Sequence, residues 1–198
     1  VRPVMDGDGW SSVLTDADLG VQHFVEAVMR AALPGWRLHG EEHALSFNTR
    51  YFPMSDIVVW LDPVNGTRLY RDQADTFDVI ASLSHDGRLL ATRSYKPGKS
   101  CLYGASRFSP AFEIDVVTGE KTPMTKGSKS MTLAIYQADA WRSKLPSDIT
   151  VFDVSNDYDS RDPRCCMNSL FDGQLGGFLF GDVALLDVGA TAFTTIRS

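Results

Sequence analysis

No run of apolar residues in this sequence approaches the ~20 needed to cross a bilayer as a helix, which argues against a membrane partner. The first residues show neither the basic nor the apolar region of a secretory leader. Cysteine is scarce. Three in 198 residues, two of them adjacent at Cys165-Cys166, make no disulfide framework and carry no paired C-x-x-C spacing for zinc. A reducing, cytoplasmic setting is expected. Positive charge is also in short supply. The 19 Lys and Arg are outnumbered by 25 Asp and Glu, and no basic run is long enough to track a phosphate backbone, which argues against a nucleic acid polymer as partner. None of His23, His39, His43 and His85 has the neighbours of a zinc site or a nucleophilic triad.

What is present is the composition of a folded protein, with 43% hydrophobic and 22% charged residues and no low-complexity tract. Val21, Val25, Val28, Met29 and Ala32 recur at helical spacing and predict a helix over 17–32 with an apolar stripe. Thr15 and Asp18 read as its capping box, and Pro34-Gly35 ends it. Ile57 to Leu61 is a continuous apolar run that suits a buried strand, closed by Asp62-Pro63 and a turn forced by Pro63 and Gly66. Phe77–Leu83, Leu89–Tyr95 and Phe112–Val117 follow as strands of an antiparallel meander, with turns at Asp86-Gly87, Lys96-Pro97-Gly98 and Thr118-Gly119. The Lys, Thr, Ser and Gly of 118–130 read as a linker. Beyond it, Met131–Tyr136 and Ile149–Val154 predict strands, with helices over 138–145 and 188–196.

Acidic residues stand where the chain turns or a helix begins: Asp18, Glu41-Glu42, Asp62 and Asp187. Brought together, such carboxylates can hold two or more Mg²⁺ ions, hard cations that take oxygen ligands and keep several waters. An acidic protein that handles phosphate needs a cation between the two, and paired metals can activate a water for phosphoryl displacement. After Asp62, Gly66 lets the backbone approach a ligand closely, so the amides of Gly66 and Thr67 can receive phosphate oxygens. Arg68 either assists there or points to solvent. Each acidic element also has a plainer reading taken alone. Asp18 is a helix cap, Glu41-Glu42 a solvated loop, Asp62-Pro63 a strand-ending turn and Asp187 a helix start.

Their order and intervals make a resemblance specific. Residues 8–18, Asp-Gly-Trp-Ser-Ser-Val-Leu-Thr-Asp-Ala-Asp, resemble the loop and helix start of the inositol monophosphatase-like family of magnesium-dependent, lithium-sensitive phosphatases, which includes fructose bisphosphatase. Leu33 to Glu42 resembles that family's P-x-x-x-x-G-E-E segment. Trp60-Leu61-Asp62-Pro63-Val64-Asn65-Gly66-Thr67 resembles its W-x-D-P-(I/V/L)-D-G-T signature, and 77–105 its continuation. The resemblance is strong over 8–111 and thin beyond.

The resemblance implies a layered αβαβα sandwich of the α+β and α/β kind, with an antiparallel sheet in the first half and a mixed one in the second. It divides the chain into a metal- and phosphate-binding half, 1–120, and a smaller α/β half, 121–198. The chain opens on Val1 rather than Met and stops at Ser198 where the family continues, so the second half is expected to be truncated relative to the family.

Residue by residue, the resemblance implies that Glu41, Asp62 and the carbonyl of Val64 bind metal, with Asn65 as a further ligand and two or three Mg²⁺ ions in all. Asp18 and Thr67, with Glu41, would handle the attacking water, and the amides of Gly66 and Thr67 the phosphate. Asp187 stands where the family has the last ligand of a W-D-x-A-(A/G) helix start, although Leu186 replaces the Trp. Asn65 is the second departure, because the family signature has Asp there and the change removes one negative charge. The implied activity is hydrolysis of a small phosphorylated polyol, sugar or nucleotide by metal-activated water. Asn65 opens an alternative, a catalytically weakened relative that binds a phosphometabolite or a protein. Family members often dimerise, which adds a homodimer to the expected partners.

Overall fold

A computed structural model describes residues 2–5, 11–42, 45–124, 130–181, 191–192 and 194–195. Strands β1 (Arg2–Met5) and β2 (Ser11–Leu14) form a two-stranded antiparallel ribbon that leads into helix α1 (Asp16–Ala32). Seven strands then make the larger sheet in chain order: β3 (Arg37–Gly40), β4 (Ile57–Asn65), β5 (Asp78–His85), β6 (Arg88–Lys96), β7 (Cys101–Ser106), β8 (Ser109–Asp115) and β9 (Lys121–Pro123). Helix α2 (Thr67–Arg71) joins β4 to β5. The smaller sheet has the order β11-β10-β12, from β10 (Thr132–Tyr136), β11 (Thr150–Asp153) and β12 (Gly177–Phe180), with the short helix α3 (Asp139–Arg142) between β10 and β11.

The expected antiparallel first half is present, extended by one parallel pair at the edge where β3 lies beside β4. The described strands of the second sheet all run parallel. Six strands were not foreseen as such: β1, β2, β3, β7, the three-residue β9 inside the stretch that reads as a linker, and β12. The helix expected over 138–145 shrinks to four residues. The one expected over 188–196 falls mostly outside the described residues, although 191–192 and 194–195 are helical.

Helix α1 begins and ends as its caps dictate, but its buried face is not the stripe of valines. Asp18, Gln22, Glu26 and Met29 are the buried residues, and Val28 is half exposed. The polar positions turn inward because the segment after β3 supplies their partners. Gln22 Nε2 donates to Glu26 Oε1 at 3.1 Å, while Ser46 Oγ and Asn48 Nδ2 donate to Glu26 Oε2 at 2.9 and 2.8 Å. Apolar packing is left to Met29, which meets Leu38 and Leu61 with Val25, Trp36 and Val79 around them. Burying Leu38 and Leu61 stabilises the fold by roughly 1.5–3 kcal/mol each. That cluster fixes α1 on one face of the sheet.

The opposite face is polar at its centre. Side chains alternate along β5 and β6, so Asp78, Ser82 and Ser84 of one strand and Thr92, Ser94 and Lys96 of the other are buried together. The second half covers them. Lys96, 1% exposed, donates to Asp172 at 3.1 Å, and Tyr103 Oη donates to the other oxygen of the same carboxylate. A second core joins the two sheets, with Leu69 of α2 packed among Ala134, Phe152, Cys165, Cys166 and Leu175.

Candidate active site

Strand β4 delivers the site residues, and it does so through an irregularity. Its pairing with β5 slips between Asp62 and Asn65, and the Val64 amide donates to Asp62 Oδ1 at 3.1 Å in an Asx-type turn. Pro63 is accommodated inside the strand at this bulge, so the expected turn does not occur there. The chain reverses at Gly66, whose φ of 85° lies in the left-handed region that glycine adopts without cost. Thr67 then opens α2, where the first amides of a helix lack intrahelical acceptors.

Thr67 shares its hydroxyl proton between the Val64 carbonyl, 2.9 Å away, and Asp18 Oδ1 at 3.3 Å. Asp18 is 1% exposed, and its other oxygen accepts from the Thr15 amide and hydroxyl at 2.7 and 2.5 Å. The helix-cap and site readings of Asp18 therefore hold at once, one for each carboxylate oxygen. Glu41 arrives by an extension of the β3–β4 pairing, its amide donating to the Leu61 carbonyl at 2.8 Å. Gly40 before it lies so close to α1 that a Cβ there would come within 2.3 Å of Gln22 Oε1. The same Gln22 oxygen accepts from the Glu42 amide at 3.1 Å.

Glu41, Asp62, Val64, Asn65, Gly66 and Thr67 line one cavity of about 260 Å³. The second half supplies the facing wall, with Tyr136, Tyr158, Phe178 and Phe180. The Phe178 and Phe180 rings stack at 4.5 Å between centroids. Arg68 is exposed and also borders the cavity, its guanidinium 3.7 Å from the centre of the Tyr158 ring. Cys165 and Cys166 are buried beneath it as packing, and burial pushes the Cys166 thiol up to about 12, which removes it as a nucleophile.

The donor set suits a hard divalent cation, since residues bearing carboxylate, carbonyl and amide oxygens line one space. Glu42 beside it has its carboxyl raised above the ordinary value, first by burial and then by the charge of Asp18. Among the described residues, however, no three His, Cys, Asp or Glu side chains are close enough to hold a metal by themselves. Asn65 stands where a third carboxylate would count, and Asp187 lies outside the described residues.

Sequence reasoning missed what lies behind Asn65. Its Nδ2 donates to Asp78 Oδ1 at 2.8 Å, while Ser94 Oγ and Asn168 Nδ2 donate to Asp78 Oδ2 at 2.5 and 2.6 Å. Asp78 is fully buried, and burial outweighs these three donors and the Lys96 charge in holding its carboxyl above the ordinary value. The signal was a charged residue in two-residue period with Ser82 and Ser84, which marks one polar face of the strand.

No protein-family model matches the sequence, and no curated protein does. Solved structures do. An IMPase from Thermotoga maritima superposes with a TM-score of 0.70 at 14% identity, covering 96% of this chain and 71% of that one. An inositol monophosphatase family protein from Staphylococcus aureus gives 0.66 at 16%, covering 96% and 69%. An IMPase/NADP phosphatase complexed with Mg²⁺ and phosphate gives 0.67 at 18%, covering 93% and 67%. The fold is that of the inositol monophosphatase family. The layered arrangement expected from the sequence resemblance is thus met, at an identity low enough that the inositol monophosphatase fold persists here on a largely rewritten sequence.

Proposed function

We propose that this chain is a divergent member of the inositol monophosphatase family and a Mg²⁺-dependent phosphomonoesterase acting on a small phosphorylated metabolite. The observation that carries this reading is the convergence of Glu41, Asp62, the Val64 carbonyl, Asn65, Gly66 and Thr67 on one cavity, with Asp18 held behind Thr67. Glu41, Asp62, Val64 and Asn65 are the residues that would hold the cation. When bound, Mg²⁺ supplies Lewis-acid charge for the phosphoryl oxygens and lowers the pKa of water. Thr67 directs its proton toward Asp18 and Val64, so its oxygen lone pairs are left to accept a proton from the attacking water. As Thr67 takes the water's proton, its own hydroxyl proton passes to Asp18, the base of the pair. The amides of Gly66 and Thr67 receive the phosphate, and Arg68 adds positive charge beside it.

The aromatic wall favours one substrate class within this reading. A polyol needs hydrogen-bonding partners for every hydroxyl it buries, whereas four aromatic side chains, Phe178, Phe180, Tyr136 and Tyr158, make up this wall. A nucleoside monophosphate or bisphosphate fits such a wall better than inositol monophosphate or fructose bisphosphate. Phosphate release from these three classes, with and without Mg²⁺, tests both levels. Magnesium-stimulated release that Asp62→Ala abolishes is the expected result, and turnover indifferent to Mg²⁺ or to Asp62 overturns the assignment.

A second reading is a binding protein that turns over little or nothing. It is favoured by the tie between the Asn65 amide and Asp78 and by the shortage of acidic ligands among the described residues. Under it, Mg²⁺ with inorganic phosphate raises Tm while no substrate of the screen releases phosphate.

A further inference from the structure

The site contains an amide where its neighbours are carboxylates, and the residue that decides how the amide is used lies on the next strand. Asn65 and Asp78 face each other across the β4–β5 ladder, immediately after the slip in register. Asp78 accepts three hydrogen bonds, from Asn65, Ser94 and Asn168. Asn168 is turned the same way. Its nitrogen donates to both Asp78 Oδ2 and Ser94 Oγ, and its buried oxygen is left without a partner. Two separate amides thus present their nitrogens to one carboxylate, one of them with its oxygen orphaned.

We propose that Asp78 is a positioning residue for the candidate cation site, fixing the Asn65 amide with its nitrogen toward the strand behind and its oxygen toward the cavity. Turning Asn65 over would place its oxygen 2.8 Å from Asp78 Oδ1, acceptor against acceptor. The amide oxygen is a cation ligand, whereas the amide nitrogen would repel a cation. Asp78 touches nothing in the cavity itself, yet it supplies the constraint that an outer partner gives to a ligating side chain. Positions 65 and 78 therefore form one hydrogen-bonded pair, with the amide in the cavity wall and the carboxyl behind it. The proposal rests on the reading of this cavity as a Mg²⁺ site.

The unit dictates an unusual mutational sign. Asn65→Asp alone adds a carboxylate ligand but sets it against buried Asp78, so the added charge cannot be used. Combined with Asp78→Asn, the same change exchanges the two side chains. The amide now at position 78 then donates to the carboxylate now at position 65 and still accepts from Ser94 and Asn168. The second oxygen of that carboxylate faces the cavity.

The test measures Tm in EDTA and Mg²⁺ affinity by calorimetry for the wild type, N65D, D78N and N65D/D78N. N65D is expected to lower Tm in EDTA by at least about 4 °C, and D78N to relieve that loss in the double variant. The double variant is expected to bind Mg²⁺ about 10-fold more tightly than wild type, the lower end of what outer partners contribute to metal affinity. A merely structural role for Asp78 would couple the two substitutions in Tm and leave their effects on Mg²⁺ affinity independent. Equal effects of N65D on Mg²⁺ affinity in the wild type and in the D78N background overturn the proposal. No Mg²⁺ binding by wild type or double variant defeats the metal-site reading instead, and the EDTA measurements still decide whether Asp78 governs position 65.

Discussion

Asp18 and Thr67, 49 positions apart, meet at 3.3 Å because a capped helix start and a left-handed glycine turn are brought to the same point beside the sheet. Neither residue is free to move. Asp18 is tied by the capping box, and Thr67 by its bond to the Val64 carbonyl. A hydroxyl restrained in this way has one proton with two inward acceptors, and its remaining lone pairs face the cavity. Under the proposed function, the pair is a fixed proton acceptor rather than a mobile one.

Thr67→Val keeps the shape of the side chain and removes the hydroxyl, so it is expected to lower Mg²⁺-dependent phosphate release on the order of 100-fold, the scale of a lost acid–base participant. Circular dichroism should show the same fold. Thr67→Ser, which restores the hydroxyl, should recover most of the rate. If Val and Thr are equally active, the water is handled elsewhere.

The cap is separable from the chemistry at Thr15, whose hydroxyl donates to the Asp18 oxygen that Thr67 does not use. Thr15→Ala is expected to cost about 1 kcal/mol, as loss of an N-cap does, and to lower Tm by roughly 2–4 °C. Thr15→Ser should be nearly silent. A thermal melt of the three proteins measures this directly, and an unchanged melt for Thr15→Ala would show that the box contributes nothing to stability.

The start of α1 and the turn at Gly66 were legible because their causes are adjacent in sequence: Thr15 with Asp18, and Asp62-Pro63 with Gly66-Thr67. The family resemblance grouped Glu41, Asp62 and Thr67, which line one cavity. The burial pattern was not legible, since apolar periodicity picks out Val28, which is exposed, and passes over Gln22 and Glu26, which are buried. Their partners Ser46 and Asn48 stand 20 and 22 positions away from Glu26, and Asn168 stands 90 from Asp78. A polar residue reads as a surface residue until the group that satisfies it is known, and local patterns do not reach that far.

Glu26 offers a test of that polar face. It is 1% exposed and accepts from Gln22, Ser46 and Asn48, so Glu26→Leu leaves three donors to find new partners. A loss of about 3 kcal/mol is expected, with a fall in Tm of roughly 6–12 °C. Glu26→Gln keeps one acceptor oxygen and should lose less. Because Gln22 also holds the Glu42 amide, the Leu variant should weaken Mg²⁺ binding by loosening the segment that carries Glu41. A Leu variant as stable as wild type would mean that these bonds do not hold the helix in place.

Asp172 gives the acid limb of the stability profile. It joins the halves by accepting from Lys96, Lys99 and Tyr103. Burial works to raise its carboxyl, but the bond from Lys99 and the charge of Lys96 prevail, and it lies below the ordinary 3.8. A depressed carboxyl releases its proton more readily in the folded chain than in the unfolded one. Its stabilising contribution is therefore complete above pH about 4 and is lost as pH falls through the folded value. Asp172→Asn is expected to cost about 3 kcal/mol at pH 7, because buried Lys96 then loses the opposite charge that it shares with Lys99. Urea melts at pH 7 and pH 3 should show the gap between wild type and variant narrowing in acid. A gap that is the same at both pH values would place the stabilising contribution of this cluster in its packing rather than in its charge.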